Sequence, residues 1–162
     1  MEARQLIEPH VAGLAANHAS ASDVRRLRGH ISEEAAAAES GDRRRSVALS
    51  GMFQIAIAEI VDQPVLASFV KELITRSALT VALYWKRSAI TCEPLAHADL
   101  IEAIAAGDSA QASKMMSEHL ADIVSGLELS ERKGTDRSSA ELLAGVEVEV
   151  QLPIRGRKLP RP

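Results

Sequence analysis

Gly107-Asp108 separates two segments with apolar stripes, and this pair constrains the fold more than any other feature of the 162-residue chain. A glycine that ends one helix and an aspartate that caps the next make a tight reversal. His97 and His119 each stand 11 residues from Asp108, roughly 16 Å along either helix at about 1.5 Å per residue. Two antiparallel helices would then carry both imidazoles to one level. His97 is followed by Leu100, Ile101 and Ile104, while His119 follows Met115 and Met116 and precedes Ile123. That spacing puts both histidines on apolar faces. Facing histidines on neighbouring helices are a common way for a bundle to hold a metal or an anion in its core. Two ordinary, partly exposed histidines at a chance spacing are the plain alternative.

Composition narrows the class. Apolar residues make up 46% of the chain and aromatic ones only 2%, so the core is aliphatic and alanine-rich, which suits closely packed helices. A length of 162 residues fits one domain with a real core. The net charge of −3 argues against a surface built for nucleic acid. The single Cys92 excludes an intramolecular disulfide. The start has no basic-then-apolar leader pattern, and no apolar run approaches the ~20 residues of a membrane span. A cytoplasmic all-α domain with no membrane partner is expected.

Punctuation along the chain predicts six helices. The first carries Leu6, Ile7, Val11, Leu14 and Ala15 and runs to about Ala19. Ser20 to Asp23 caps a second, with Val24, Leu27 and Ile31, that stops near Ser40-Gly41. Asp42 caps a third, and Asp62-Gln63-Pro64 closes it. A fourth, apolar on all sides, runs from Pro64 to about Arg87, and a homodimer seam is one way to bury it. Helices from Pro94 and Asp108 follow, the latter with a D-x-x-Q capping pattern through Gln111. Residues 1–129 form the expected helical domain. Residues 130–162 read as a partly disordered tail with a possible short strand at 146–150 and a basic, proline-rich end.

Catalytic signatures are missing: the chain has no H-E-x-x-H, no phosphate-binding glycine loop and no G-x-S-x-G elbow. Glu33-Glu34 and Arg43-Arg44-Arg45 read as solvated faces. An enzyme is therefore not expected.

The order of features resembles the effector-binding (FCD) domain of GntR-type transcriptional regulators of the FadR subfamily, over roughly Glu2 to Leu127. The resemblance rests on Glu2-x-Arg4-x-x-x-Glu8, Ala15-Ala16, Phe53 with Ala58, Gln63-Pro64-Val65-Leu66, and the block from His97 through Leu100-Ile101, Ala103-Ile104, Ala106-Gly107-Asp108, Ala112 and Met115 to His119-Leu120. It implies an all-α antiparallel bundle of six to seven helices that dimerises and binds a small carboxylate-type metabolite. It also implies a divalent metal held by an aspartate and a histidine four residues apart on one helix and two histidines on later helices. The later pair maps onto His97 and His119. The earlier pair falls on Ser50 and Gln54, which are poor first-row metal ligands beside carboxylate and imidazole.

The expected ligand-binding residues are thus Arg4, Ser50, Gln54, Trp85, His97 and His119. Of these, His97 and His119 are the candidate metal ligands, weak or assisted by the effector. No cofactor is certain, and a divalent metal, zinc or nickel, is expected at most at low occupancy. Arg4 has two readings, a bidentate fork for the ligand carboxylate or a pair with Glu8 within its own helix. Trp85 lines the pocket or simply fills core. The resemblance also implies a winged helix-turn-helix domain ahead of the module, which this sequence lacks, so DNA is expected as a partner only through such a domain. The rival readings are an all-α metal-dependent enzyme using His97 and His119, and a structural dimerisation module with no ligand.

Overall fold

Capping residues and the spacing of apolar positions set the helix boundaries in the computed structural model, which describes residues 1–84 and 93–127. The helices are α1 Glu2–His18, α2 Ala21–Glu39, α3 Arg43–Ile60, α4 Pro64–Tyr84, α5 Glu93–Ala105 and α6 Ser109–Ser125. Among the described residues no other α-helix occurs, and the chain has an all-α, FCD-like fold. The Ser20 side chain accepts from the Asp23 backbone N–H while the Asp23 carboxylate accepts from the Ser20 N–H, a complete capping box. Asp108 accepts from the Gln111 N–H at 2.9 Å, the capping half of the expected D-x-x-Q pattern. Gly41 and Gly107 adopt φ of +74° and +71°, the left-handed conformation in which a side chain is strained and glycine is not.

The hairpins α2–α3, α3–α4 and α5–α6 pack along the chain order, while α1 lies chiefly against α6 and also meets α3, α4 and α5. Gly13 permits the α1–α6 approach, since a Cβ there would stand 3.0 Å from Ser109 Oγ and 3.1 Å from its carbonyl oxygen. The described residues fall within one compact unit, Met1–Leu129. The expected tail, its strand at 146–150, Trp85, Cys92 and the last turn expected of α4 lie outside the described residues.

Aliphatic side chains fill the core, and Phe53 is the one buried aromatic residue among the described residues. Leu27, Ile57, Leu100, Ile101, Ile104, Met116 and Leu120 are fully buried around it. Three of the largest fully buried side chains are polar: Glu8, Glu34 and His97. Buried polar groups are costly unless they find partners, and here Glu8 pairs with Arg4 and a Glu34 oxygen with His97.

The fourth helix departs from the expected burial on several sides. Within one protomer only Val70, Ile74 and Val81 are buried on it, and Val65, Phe69, Leu79, Leu83 and Tyr84 are exposed. No described helix is long and apolar enough to cross a membrane.

Candidate functional site: a polar network in the bundle core

Every described helix contributes to one chain of polar contacts. From α1, the Arg4 guanidinium donates to the Glu8 carboxylate at 2.6 Å, to Ser77 Oγ of α4 at 3.0 Å and to Gln54 Oε1 of α3 at 2.6 Å. The Gln54 amide nitrogen lies 2.9 Å from His119 Nε2 of α6. The two histidine Nε2 atoms stand 3.3 Å apart, and His97 Nδ1 of α5 lies 2.8 Å from Glu34 Oε2 of α2. The Phe53 ring covers His97, their centroids 4.4 Å apart. Arg4, Glu8, Glu34, Gln54, His97 and His119 are all buried.

Donor and acceptor chemistry fixes the direction of each contact. A guanidinium only donates, so Gln54 presents its oxygen to Arg4 and its N–H groups to His119. The His119 Nε2 is therefore an acceptor, and its ring proton sits on Nδ1. A proton between the two imidazoles then belongs to His97 Nε2, which leaves His97 Nδ1 as an acceptor. The group facing it, Glu34, must donate, as a neutral carboxylic acid. Electrostatics agrees with this assignment. Burial pushes the Glu34 carboxyl up to about 7 and drives the His97 imidazole down to about 3. His119 is held well below its ordinary value, chiefly by burial and then by the nearness of His97 and the charge of Arg4, with Asp122 acting the other way. Glu8 is raised by burial, against the hydrogen bond and charge of Arg4. An imidazole in this core is neutral.

Of the residues expected from sequence, the structure brings Arg4, Gln54, His97 and His119 together. Ser50 is buried one turn before Gln54 on the same helix. Trp85 lies outside the described residues. Of the two sequence readings of Arg4, the structure shows the pair with Glu8, and the same guanidinium also reaches across to Gln54. Glu34 corrects the sequence reading. It is not on a solvated face but fully buried, while Glu33 beside it is exposed. The missed signal was its register: Leu27, Ile31 and Glu34 follow at i, i+4 and i+7, so Glu34 continues an apolar stripe. Arg44 and Arg45 are exposed.

The donors do not fit a resident divalent metal. Two imidazole nitrogens could offer lone pairs, but the His119 lone pair is met by the Gln54 amide, and the residues on α3 that face them, Ser50 and Gln54, are neutral and poor metal ligands. The Glu34 carboxyl is used behind His97, and the adjacent cationic position is already held by Arg4. Among the described residues no group of three or more His, Cys, Asp or Glu side chains could hold a metal ion.

The FCD domain profile matches residues 1–122. The chain belongs to the FCD family. Such domains belong to GntR-type transcription regulators, which are not enzymes. Among solved structures the chain resembles E. coli McbR/YncC, with a TM-score of 0.66 and 18% identity over 76% of this chain and 65% of that one. It resembles Streptococcus agalactiae GntR to a similar degree, with a TM-score of 0.65 and 21% identity over 75% of this chain and 54% of that one. The chain thus spans less than two thirds of the length of either structure. No curated protein matches it.

Proposed function

We propose that this FCD domain is the effector-sensing and dimerisation module of a bacterial GntR/FadR-type regulator, and that its core takes a small carboxylate on Arg4 without a resident metal. The observation that carries this reading is Arg4 itself: a buried guanidinium that gives one of its strongest contacts to a neutral amide, Gln54, at 2.6 Å. A carboxylate is a better partner for that fork than an amide oxygen, because both partners are then charged and two parallel N–H···O bonds form. When a ligand carboxylate takes the place of Gln54 Oε1, the amide turns and releases His119. His97 Nε2–H is then free to donate to the ligand and His119 Nε2 to accept from it, and Ser50 lies one turn away on α3. Because His97 and His119 belong to α5 and α6, occupation of the site reaches the whole second half of the bundle.

The exposed stripe of α4 supports a homodimer, since soluble monomers seldom leave such a patch uncovered. A ligand that prefers one pose of the two protomers would shift that equilibrium, the requirement for allosteric control. In regulators of this kind, DNA is read by a winged helix-turn-helix domain and not by this module. A second reading, a dimerisation module whose pocket is filled by its own side chains, draws on the same network, in which nearly every buried polar atom already has a partner.

Thermal melting with millimolar acetate, malonate, succinate and citrate, each with and without EDTA, separates these readings. A ligand held by the native state raises stability by about 2.7 kcal/mol at a hundred times its dissociation constant. At least one carboxylate is expected to raise the melting temperature, equally with and without EDTA. The double variant Arg4→Met/Glu8→Leu, which leaves no buried charge alone, is expected to lose that response. No response from any carboxylate supports the filled pocket, and a response abolished by EDTA overturns the metal-free reading.

A further inference from the structure

The donors of this core do not fit a divalent metal, yet its two histidines keep the spacing of a metal pair. Their Nε2 atoms stand 3.3 Å apart. Two nitrogens bound to one tetrahedral zinc at about 2.0–2.1 Å lie about 3.3–3.4 Å from each other, so α5 and α6 hold the imidazoles at the separation such a centre needs. The misfit therefore comes from elsewhere.

It comes from α3, with help from α1. The Gln54 amide nitrogen lies 2.9 Å from His119 Nε2 and points an N–H at the lone pair that a metal would take. An amide that turned over would offer its oxygen there instead. Arg4 opposes that turn, because its guanidinium only donates and stands 2.6 Å from Gln54 Oε1, so the turned amide would set N–H against N–H. Arg4 is in turn fixed by Glu8 at 2.6 Å and by Ser77 at 3.0 Å. Its charge also bears on His119, and like charges repel a second cation at that place.

We infer that the choice between a metal and a hydrogen-bonded core is made at Gln54, which keeps an otherwise competent histidine pair from taking a cation. Ser50, buried one turn earlier on the same face of α3, is the secondary position: a ligand added there alone leaves the Gln54 amide on His119. The inference rests on the metal-free part of the proposed function and not on the carboxylate anchor. It makes the domain's state independent of metal supply.

Calorimetric titration of the full chain with zinc at pH 7, after treatment with EDTA, tests this in the parent, Ser50→Asp, Gln54→His and the double variant, with melting temperatures measured alongside. Exposed histidines can take up zinc weakly in all four proteins, so the differences between them decide. The parent should show no zinc-dependent rise in melting temperature, and Ser50→Asp should bind zinc within about threefold of the parent although it gains a carboxylate. Gln54→His should bind at least about tenfold tighter than the parent. The double variant, with three nitrogens and one oxygen available, should bind at least about a hundredfold tighter and melt higher with zinc. Adding His119→Leu to it should abolish the gain. If the double variant does not fold without zinc because of its new buried charge, Gln54→His alone, which need bury no charge, carries the test. A gain in Ser50→Asp equal to that in Gln54→His, no gain in Gln54→His and the double variant, or a gain that survives His119→Leu overturns the inference and leaves the metal-free reading standing. A parent stabilised by zinc overturns both.

Discussion

Two buried carboxyls in this core meet the same problem in different ways. Glu8 lies against a guanidinium that cannot give up its charge, so the pair is ionic and removing either member would strand the other. Glu34 meets the His97 imidazole, with the charge of His30 acting on it too weakly to offset burial, and the less costly arrangement is two neutral groups sharing a proton. That arrangement has a pH signature. Glu34 goes from an ordinary 4.5 to about 7 on folding, so folding takes up a proton and stability falls as the pH rises through that window. His97 goes from 6.5 to about 3, so folding releases a proton and stability falls as the pH drops through that window. Glu8, raised, and His119, lowered, add one contribution of each sign. Between pH 4.5 and 6.5 these slopes oppose one another, and the melting temperature of the parent should be nearly flat. Glu34→Gln deletes the Glu34 slope alone, so its melting temperature should climb over the same interval. Parallel profiles for the two proteins would show that Glu34 does not titrate as a buried acid. Sequence made the two histidines legible because they share helix faces with apolar neighbours, and Arg4 and Gln54 through the family resemblance. It hid Glu34 because a carboxylate beside another carboxylate and four alanines reads as surface, although its register with Leu27 and Ile31 places it inside.

The six helices follow from local chemistry that can be read residue by residue. Ser20, Asp42 and Asp108 each accept from a backbone N–H at the start of their helix, and Gly41 and Gly107 end the helices before them. Helix α4 shows where a single chain stops being informative. Its apolar residues surround the axis, yet one protomer covers only the Val70–Ile74–Val81 side. Val65, Phe69, Leu79 and Leu83 fall on the opposite side, interrupted by the exposed Glu72–Arg76 ion pair. An exposed pair of that kind adds little stability, but it breaks the greasy stripe and can set register against a second copy. Periodicity alone registers total apolarity and cannot say which part a partner would cover. If α4 forms the seam, light scattering at micromolar concentration should give the mass of a dimer for the parent and of a monomer for Phe69→Glu/Leu79→Glu. A monomeric parent contradicts the dimer, and a double variant that stays dimeric places the seam elsewhere.

At the scale of the whole module, an aliphatic bundle is built around a polar line that runs from Glu8 and Arg4 through Gln54 and the paired histidines to Glu34. Each of the six helices holds at least one end of a contact in that line, including α4 through Ser77. A change at any point is therefore felt by several helices at once, as a sensor requires, and a bundle without such a function would gain by replacing these groups with well-packed apolar ones. The most direct test follows all five imidazoles by long-range proton–nitrogen correlation during titration with a carboxylate that stabilises the protein. At pH 5.5 without ligand, where Glu34 is still a neutral acid, His97 should carry its proton on Nε2 and His119 on Nδ1, both neutral. Addition of the carboxylate should shift the nitrogen signals of His97 and His119 and leave those of His10 and His18 in place. A titration that moves only His10, His18 or His30, or none of the five, would contradict the account.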